Sequence, residues 1–207
     1  MGKILNGILG GFSGKVGPVV GGKWKDIDYM RSYVIPANPN TSGQQIVRAR
    51  FAQCVKYGKQ ILATLLQTYW DPFYSNMSGF NAFISANYSE LDVTDLIDIS
   101  CKMAKGSLEQ LTAFTVAQIS ATTLTLTYNG AINGNGLATD VLHLVVWRGA
   151  LDTLKLYSTT LTRDDNGGTV TVDTGITEDD IAFLFLSRGT GASFVVSDSQ
   201  AVVITQP

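Results

Sequence analysis

The spacing of apolar and polar residues changes its period twice along the chain. Up to residue 34, apolar residues fall in short runs such as KVGPVV and KWKDIDYMRSYV, with glycines at 7, 10, 11, 14, 17, 21 and 22 between them. Glycine at this density permits tight turns and close backbone contacts. Trp24, Asp26 and Asp28 alternate with Lys25, Ile27 and Tyr29, which predicts a twisted hairpin with strands at roughly 15–20 and 23–34.

From residue 42 the spacing becomes three and four. Val47, Phe51, Cys54, Val55, Ile61, Leu62, Leu65 and Leu66 form one apolar stripe, with Gln45, Arg48, Gln53 and Lys56 on the other side and Gly58 as its weak point. The helix should begin near Ser42: Pro36 and Pro39 forbid regular pairing before it, and Thr41 with Gln44 has the spacing of a capping box. Asp71-Pro72 ends it, and Ser78 is placed to cap a second helix running to about Tyr88. Phe80, Phe83 and Ile84 would pair this helix with the leucine face of the first.

From Leu111 the period is two. Seven short runs, LTAFTVAQIS, TLTLTYNG, DVLHLVVWRG, TLKLYSTTL, GTVTVDTG, DIAFLFLSRG and SFVVSDSQAVVIT, are separated by turn residues such as NGNG and RDDNGG. Seven strands at that spacing predict an antiparallel sandwich of immunoglobulin or fibronectin III type. The cysteine pair of an antibody domain is missing, since no Cys follows Cys101. The expected architecture is α+β: a Gly-rich hairpin and helical attachment module over 1–91, a linker over 92–110 carrying Asp92, Asp95 and Asp98, and the β-sandwich over 111–207.

A length of 207 residues with 45% hydrophobic and 15% charged side chains supports a folded core. Net charge is only −2, yet residues 1–60 hold nine Lys/Arg against Asp26 and Asp28, and the remainder holds six against fifteen acids. The balance is therefore +7 followed by −9. Cys54 and Cys101 lie in different elements and read as two buried thiols rather than a disulfide. MGKILNGILGGF is too short and too rich in glycine for a secretion signal or a membrane span, so synthesis and retention in a cytoplasm are expected.

Catalytic and ligand motifs fail on inspection. GGFSGKV lacks the first glycine and the hydroxyl of a phosphate loop, having Leu9 and Val16 there, and NGNG at 133–136 lacks both a third glycine and a following helix. His143, the single histidine, stands between Leu142 and Leu144 and reads as a partly buried strand residue without metal or acid–base partners. Asp164-Asp165 and Glu178-Asp179-Asp180 lack the spacing of a calcium loop and read as turn residues. No serine occupies a nucleophile-elbow pattern. The reading is a non-enzyme without cofactor or metal.

The candidate interface is the basic and aromatic set Lys15, Lys23, Trp24, Lys25, Tyr29, Arg31, Arg48 and Arg50. It suits an acidic protein neighbour; nucleic acid ranks below that because the charge density is ordinary, and plain solvation is the alternative to both. Arg48 and Arg50 either join such a surface or merely flank a helix whose apolar face makes the core.

GFSGKVG, the run Trp24 to Arg31, NPNTSGQ at 38–44, Arg48 to Phe51 and GFNAF at 79–83 together resemble a family of short, functionally uncharacterised proteins from bacteria and their tailed phages. The resemblance is closest over residues 7–87. It implies an immunoglobulin-like C-terminal domain, no enzymatic activity, and, through the phage members, a virion structural protein of head surface, neck or tail. Its partners would then be other virion proteins or copies of itself, with no membrane. The alternatives carried beside it are a carbohydrate- or receptor-binding module using Trp147 or Tyr157, and an intracellular nucleic-acid-binding protein.

Overall fold

The computed structural model describes residues 3, 4, 11–91, 97–177 and 179–206. Gly7, Gly10, Asp92, Asp95 and Glu178 lie outside the described residues. The chain divides into two compact units, Met1–Thr41 and Ser42–Pro207.

The first unit is an antiparallel sheet of β1 (Lys3–Ile4), β2 (Phe12–Val16), β3 (Val19–Trp24) and β4 (Ile27–Ser32), in that order. The expected first strand at 15–20 straddles a turn: Gly17, with φ +58°, and Pro18 connect β2 to β3. Positive φ at the first turn residue followed by the fixed φ of proline suits a two-residue hairpin loop, which is why one predicted strand becomes two. Lys25 and Asp26, both at positive φ, make the second two-residue turn.

The second unit begins with α1 (Ser42–Gln60), which continues through a π-helical turn at Leu62–Leu66 into α2 (Gln67–Tyr69). The predicted stop is met: Asp71-Pro72 opens a 3₁₀ turn. Ser78 accepts a hydrogen bond from the Asn81 amide and caps α3 (Gly79–Asn87). Gly58 is what lets these helices approach, because a Cβ there would lie 2.8 Å from the Phe80 ring. The apolar stripe of α1 is buried only in part. Cys54, Tyr57, Ile61, Leu65, Leu66 and Trp70 are buried, whereas Val47 and Phe51, expected on the core face, are about half exposed.

Two antiparallel sheets follow. One holds β5 (Phe114–Ser120), β6 (Thr123–Tyr128) and β9 (Gly167–Thr171) in the order β5-β6-β9. The other holds β7 (Val141–Arg148), β8 (Thr153–Thr162), β10 (Ile181–Arg188), β11 (Val195–Val196) and β12 (Gln200–Val203), in the order β11-β10-β7-β8 with β12 also on β10. The seven predicted runs are all present, the last broken into β11 and β12. The fold is α+β, as read from the sequence.

β7 and β10 are buried on both faces. Leu142, Leu144, Val146, Ala182, Leu184 and Leu186 pack against Val116, Leu124, Leu126 and Val170 of the smaller sheet. Val145, Trp147, Ile181, Phe183 and Phe185 pack against Tyr57, Ile61, Leu65, Trp70 and Phe83 of the helical segment. The helices therefore share a core with the β half, and the boundary falls at Thr41/Ser42 rather than after residue 91.

Nor is 97–110 a free linker. Cys101, Met103, Ala104 and Leu108 are buried, the Met103 carbonyl accepts the Trp70 indole N–H at 2.8 Å, and the Asn87 side chain bonds both the carbonyl and the amide of Lys102. Buried backbone groups must be paired, and these contacts pair them. Both cysteines are free and buried, and burial raises the Cys101 thiol to about 11.

A chain starting at Ser42 should melt cooperatively within a few degrees of the full chain, whereas Phe183→Ala, which opens a cavity under α1, should cost about 3–5 kcal/mol in urea unfolding followed by circular dichroism. Loss of cooperativity in the truncated chain would contradict the division at Thr41.

Candidate functional site

Strand register sorts the predicted interface residues. Val20 pairs with Lys15 on one side and Arg31 on the other, Gly22 pairs with Tyr29, and Trp24 pairs with Ile27. Residues directly opposite share a face, so Lys15, Val20, Arg31, Tyr29, Trp24 and Ile27 form one face of the first sheet. The Tyr29 ring covers Gly22, where a Cβ would lie 2.9 Å from the phenol. Lys15 Nζ sits 3.6 Å from the centroid of Tyr33, a cation–π contact. Lys23 lies opposite Asp28 on the reverse face and bridges to Asp26 at 3.1 Å, and Lys25 occupies the turn. Asp26 and Asp28 are thus kept off the first face, which carries two cations, four apolar or aromatic side chains and no acid.

This sheet has almost no interior of its own. Every residue of β4 is exposed, and Trp24 and Ile27 at 63% and Met30 at 70% are exposed well beyond what an isolated apolar side chain in a core-forming sheet would show. A small sheet is stable when one face is packed. Arg48 and Arg50 belong to the other unit: Arg48 is exposed on α1, and the Arg50 guanidinium lies 5.6 Å from the Tyr88 ring.

Of two polar clusters in the second unit, the first was not singled out by the sequence. Arg163, fully buried after β8, contacts Asp140 at 3.2 Å and donates to the carbonyls of Glu109 and Gln110. The Glu109 carboxylate accepts the amides of Asn133, Gly134 and Gly136, which holds its pKa below the usual carboxylate range, and Arg188 reaches Asp140 and the Asn135 carbonyl. Two β–β loops are fixed by this network, 129–140 and 163–166, with Arg188 at the end of β10 bracing the first.

The second cluster surrounds His143, which is 9% exposed. Its Nε2 lies 2.8 Å from Ser187 Oγ, and its ring packs on Tyr69 and Phe185. Burial without a carboxylate partner pushes its pKa down to about 4, so the ring is neutral at pH 7. Trp147 is 5% and Tyr157 7% exposed, which removes both from the ligand-stacking role weighed for a carbohydrate module. Asp165 caps the turn at Thr162, and Asp180 accepts the amides of Gly149 and Thr177, so these acids serve turns. Among the described residues no three His, Cys, Asp or Glu side chains converge as a metal site, and no helix is long and apolar enough to cross a membrane.

These features define an α+β protein with a doubly covered β-sheet and a separate sheet that presents a basic, aromatic face. The chain belongs to the family of unknown function DUF6266, whose model matches residues 11–202. No curated protein matches it.

Because the folded-state pKa of His143 is depressed from 6.5 to about 4, the unfolded chain binds the proton more readily. Its contribution to stability is fully present above pH 6.5 and is lost as pH falls toward 4, on the order of 3 kcal/mol. Urea titrations at pH 7.5 and pH 4 should show His143→Gln losing correspondingly less than the parent chain; equal losses would contradict the neutral, buried imidazole.

Proposed function

We propose that this chain is a non-enzymatic structural protein of a phage particle, at the head surface, neck or tail, that acts by protein–protein assembly. The observation that carries this reading is the N-terminal sheet, whose apolar side chains are exposed and whose two acids are excluded from the Lys15/Arg31 face. Covering Trp24 and Ile27 on that face would stabilise a complex by about 1.5–3 kcal/mol each, and Lys15 and Arg31 select an acidic partner surface. The resemblance of residues 7–87 to proteins of bacteria and their tailed phages supports a place in the virion.

The β half is read as an immunoglobulin-like sandwich of fibronectin III type. In support, its first, second and fifth strands form one sheet, and its third, fourth, sixth and seventh the other. The network around Arg163 and Asp140 fixes two loops between these strands, 129–140 and 163–166, a rigid arrangement suited to presenting them on a particle.

Mass spectrometry of particles purified from producing cells should find the chain in multiple copies, and Lys15→Glu/Arg31→Glu should reduce its incorporation at least tenfold without changing its melting temperature. Absence of the unaltered chain from the particles would contradict the proposal.

A further inference from the structure

β4 is the terminal strand of its sheet: it pairs with β3, and among the described residues nothing pairs with its other edge. An open edge is ordinarily blunted by a bulge, an internal proline or charged side chains, lysine above all. β4, with sequence IDYMRS, has neither bulge nor proline, since its register with β3 runs unbroken from Trp24↔Ile27 to Val19↔Ser32 and the nearest proline downstream is Pro36; its two charges, Asp28 and Arg31, are of opposite sign and repel a second copy only in registers that set like against like.

We propose that two copies of this chain join edge to edge through β4, antiparallel, with Met30 on the two-fold axis, so that two N-terminal sheets become one. This rests on the reading of residues 11–41 as the assembly surface and names its partner as a second copy. The register follows from face and charge. A two-fold axis perpendicular to the sheet keeps the faces aligned only when opposite residues have numbers of equal parity, so the axis passes through a residue.

With the axis at Met30, Tyr29 faces Arg31 of the second copy twice, Ile27 faces Tyr33 twice and Asp28 faces Ser32 twice. The Tyr29–Arg31 pairs are cation–π contacts across strands, and no like charges meet. An axis at Arg31 sets two guanidinium groups opposite each other, and one at Asp28 sets two carboxylates opposite, both destabilising. At Tyr29 it places Asp28 against Met30 and Ile27 against Arg31. An axis at Ser32 carries half the pairing beyond the end of β4 and into Pro36, which has no N–H to donate.

The test uses the full chain, in which Cys54 and Cys101 are buried and remain reduced. Met30→Cys should give a disulfide-linked dimer on mild oxidation, Asp28→Cys and Ser32→Cys should each give little, and the Asp28→Cys/Ser32→Cys pair should cross-link again. In sedimentation velocity the unaltered chain should dimerise, Met30→Lys should weaken association at least tenfold, and Met30→Leu should preserve it. Cross-linking strongest at Asp28→Cys or Ser32→Cys alone, or a monomer at every concentration, overturns the inference. A monomer that still enters particles through residues 11–41 removes this partner and leaves the functional reading intact, whereas a cross-linked dimer absent from particles does the reverse.

Discussion

Everything in the second unit depends on burying both faces of β7 and β10. A strand that is apolar on one face only needs one cover; these two need two, and the chain supplies helices on one side and the β5-β6-β9 sheet on the other. Phe183 and Leu184, neighbours in sequence, therefore lie in different cores. The arrangement sets the position of the connecting segments too, because 97–110 has to run from the helical cover to the far sheet. It does so with Met103 in one core and Leu108 in the other.

Much of this was legible. Alternation marked the β runs, Ser78 marked the start of α3, and Asp71-Pro72 marked the end of the preceding helix, each because the signal is local. The double burial was also written in the chain, as VLHLVVW and IAFLFL are near-continuous apolar runs rather than alternating ones, the pattern of strands covered on both faces. Reading them as ordinary sandwich strands left the helices as a separate module. The strap at 97–110 was obscured by its mixed polarity, since its polar residues alternate with buried Cys101, Met103 and Ala104 instead of forming a solvated stretch. Val47 and Phe51 continue the helical period but extend past the part of α1 that is covered.

Sites built by long-range pairing were the least legible. Nothing local joins Arg163 to Asp140, 23 positions away, or Ser187 to His143, 44 positions away, because sheet topology alone brings them together. The aromatic and basic set in the first sheet was recognisable by composition, but its division between faces required the register. Lys15, Trp24, Tyr29 and Arg31 share a face only because two two-residue turns set β2, β3 and β4 in step, and Lys23 falls on the other side for the same reason.

The central claim is that the exposed sheet of residues 11–41 becomes covered on assembly while the doubly buried sheet stays as it is. Hydrogen exchange measured on the free chain and on assembled particles tests it most directly. Amides of Ile27–Ser32 should exchange quickly in the free chain and slow by at least tenfold on assembly, with β7 and β10 protected in both states. Unchanged exchange in β4, with new protection confined to residues 42–206, would contradict the account.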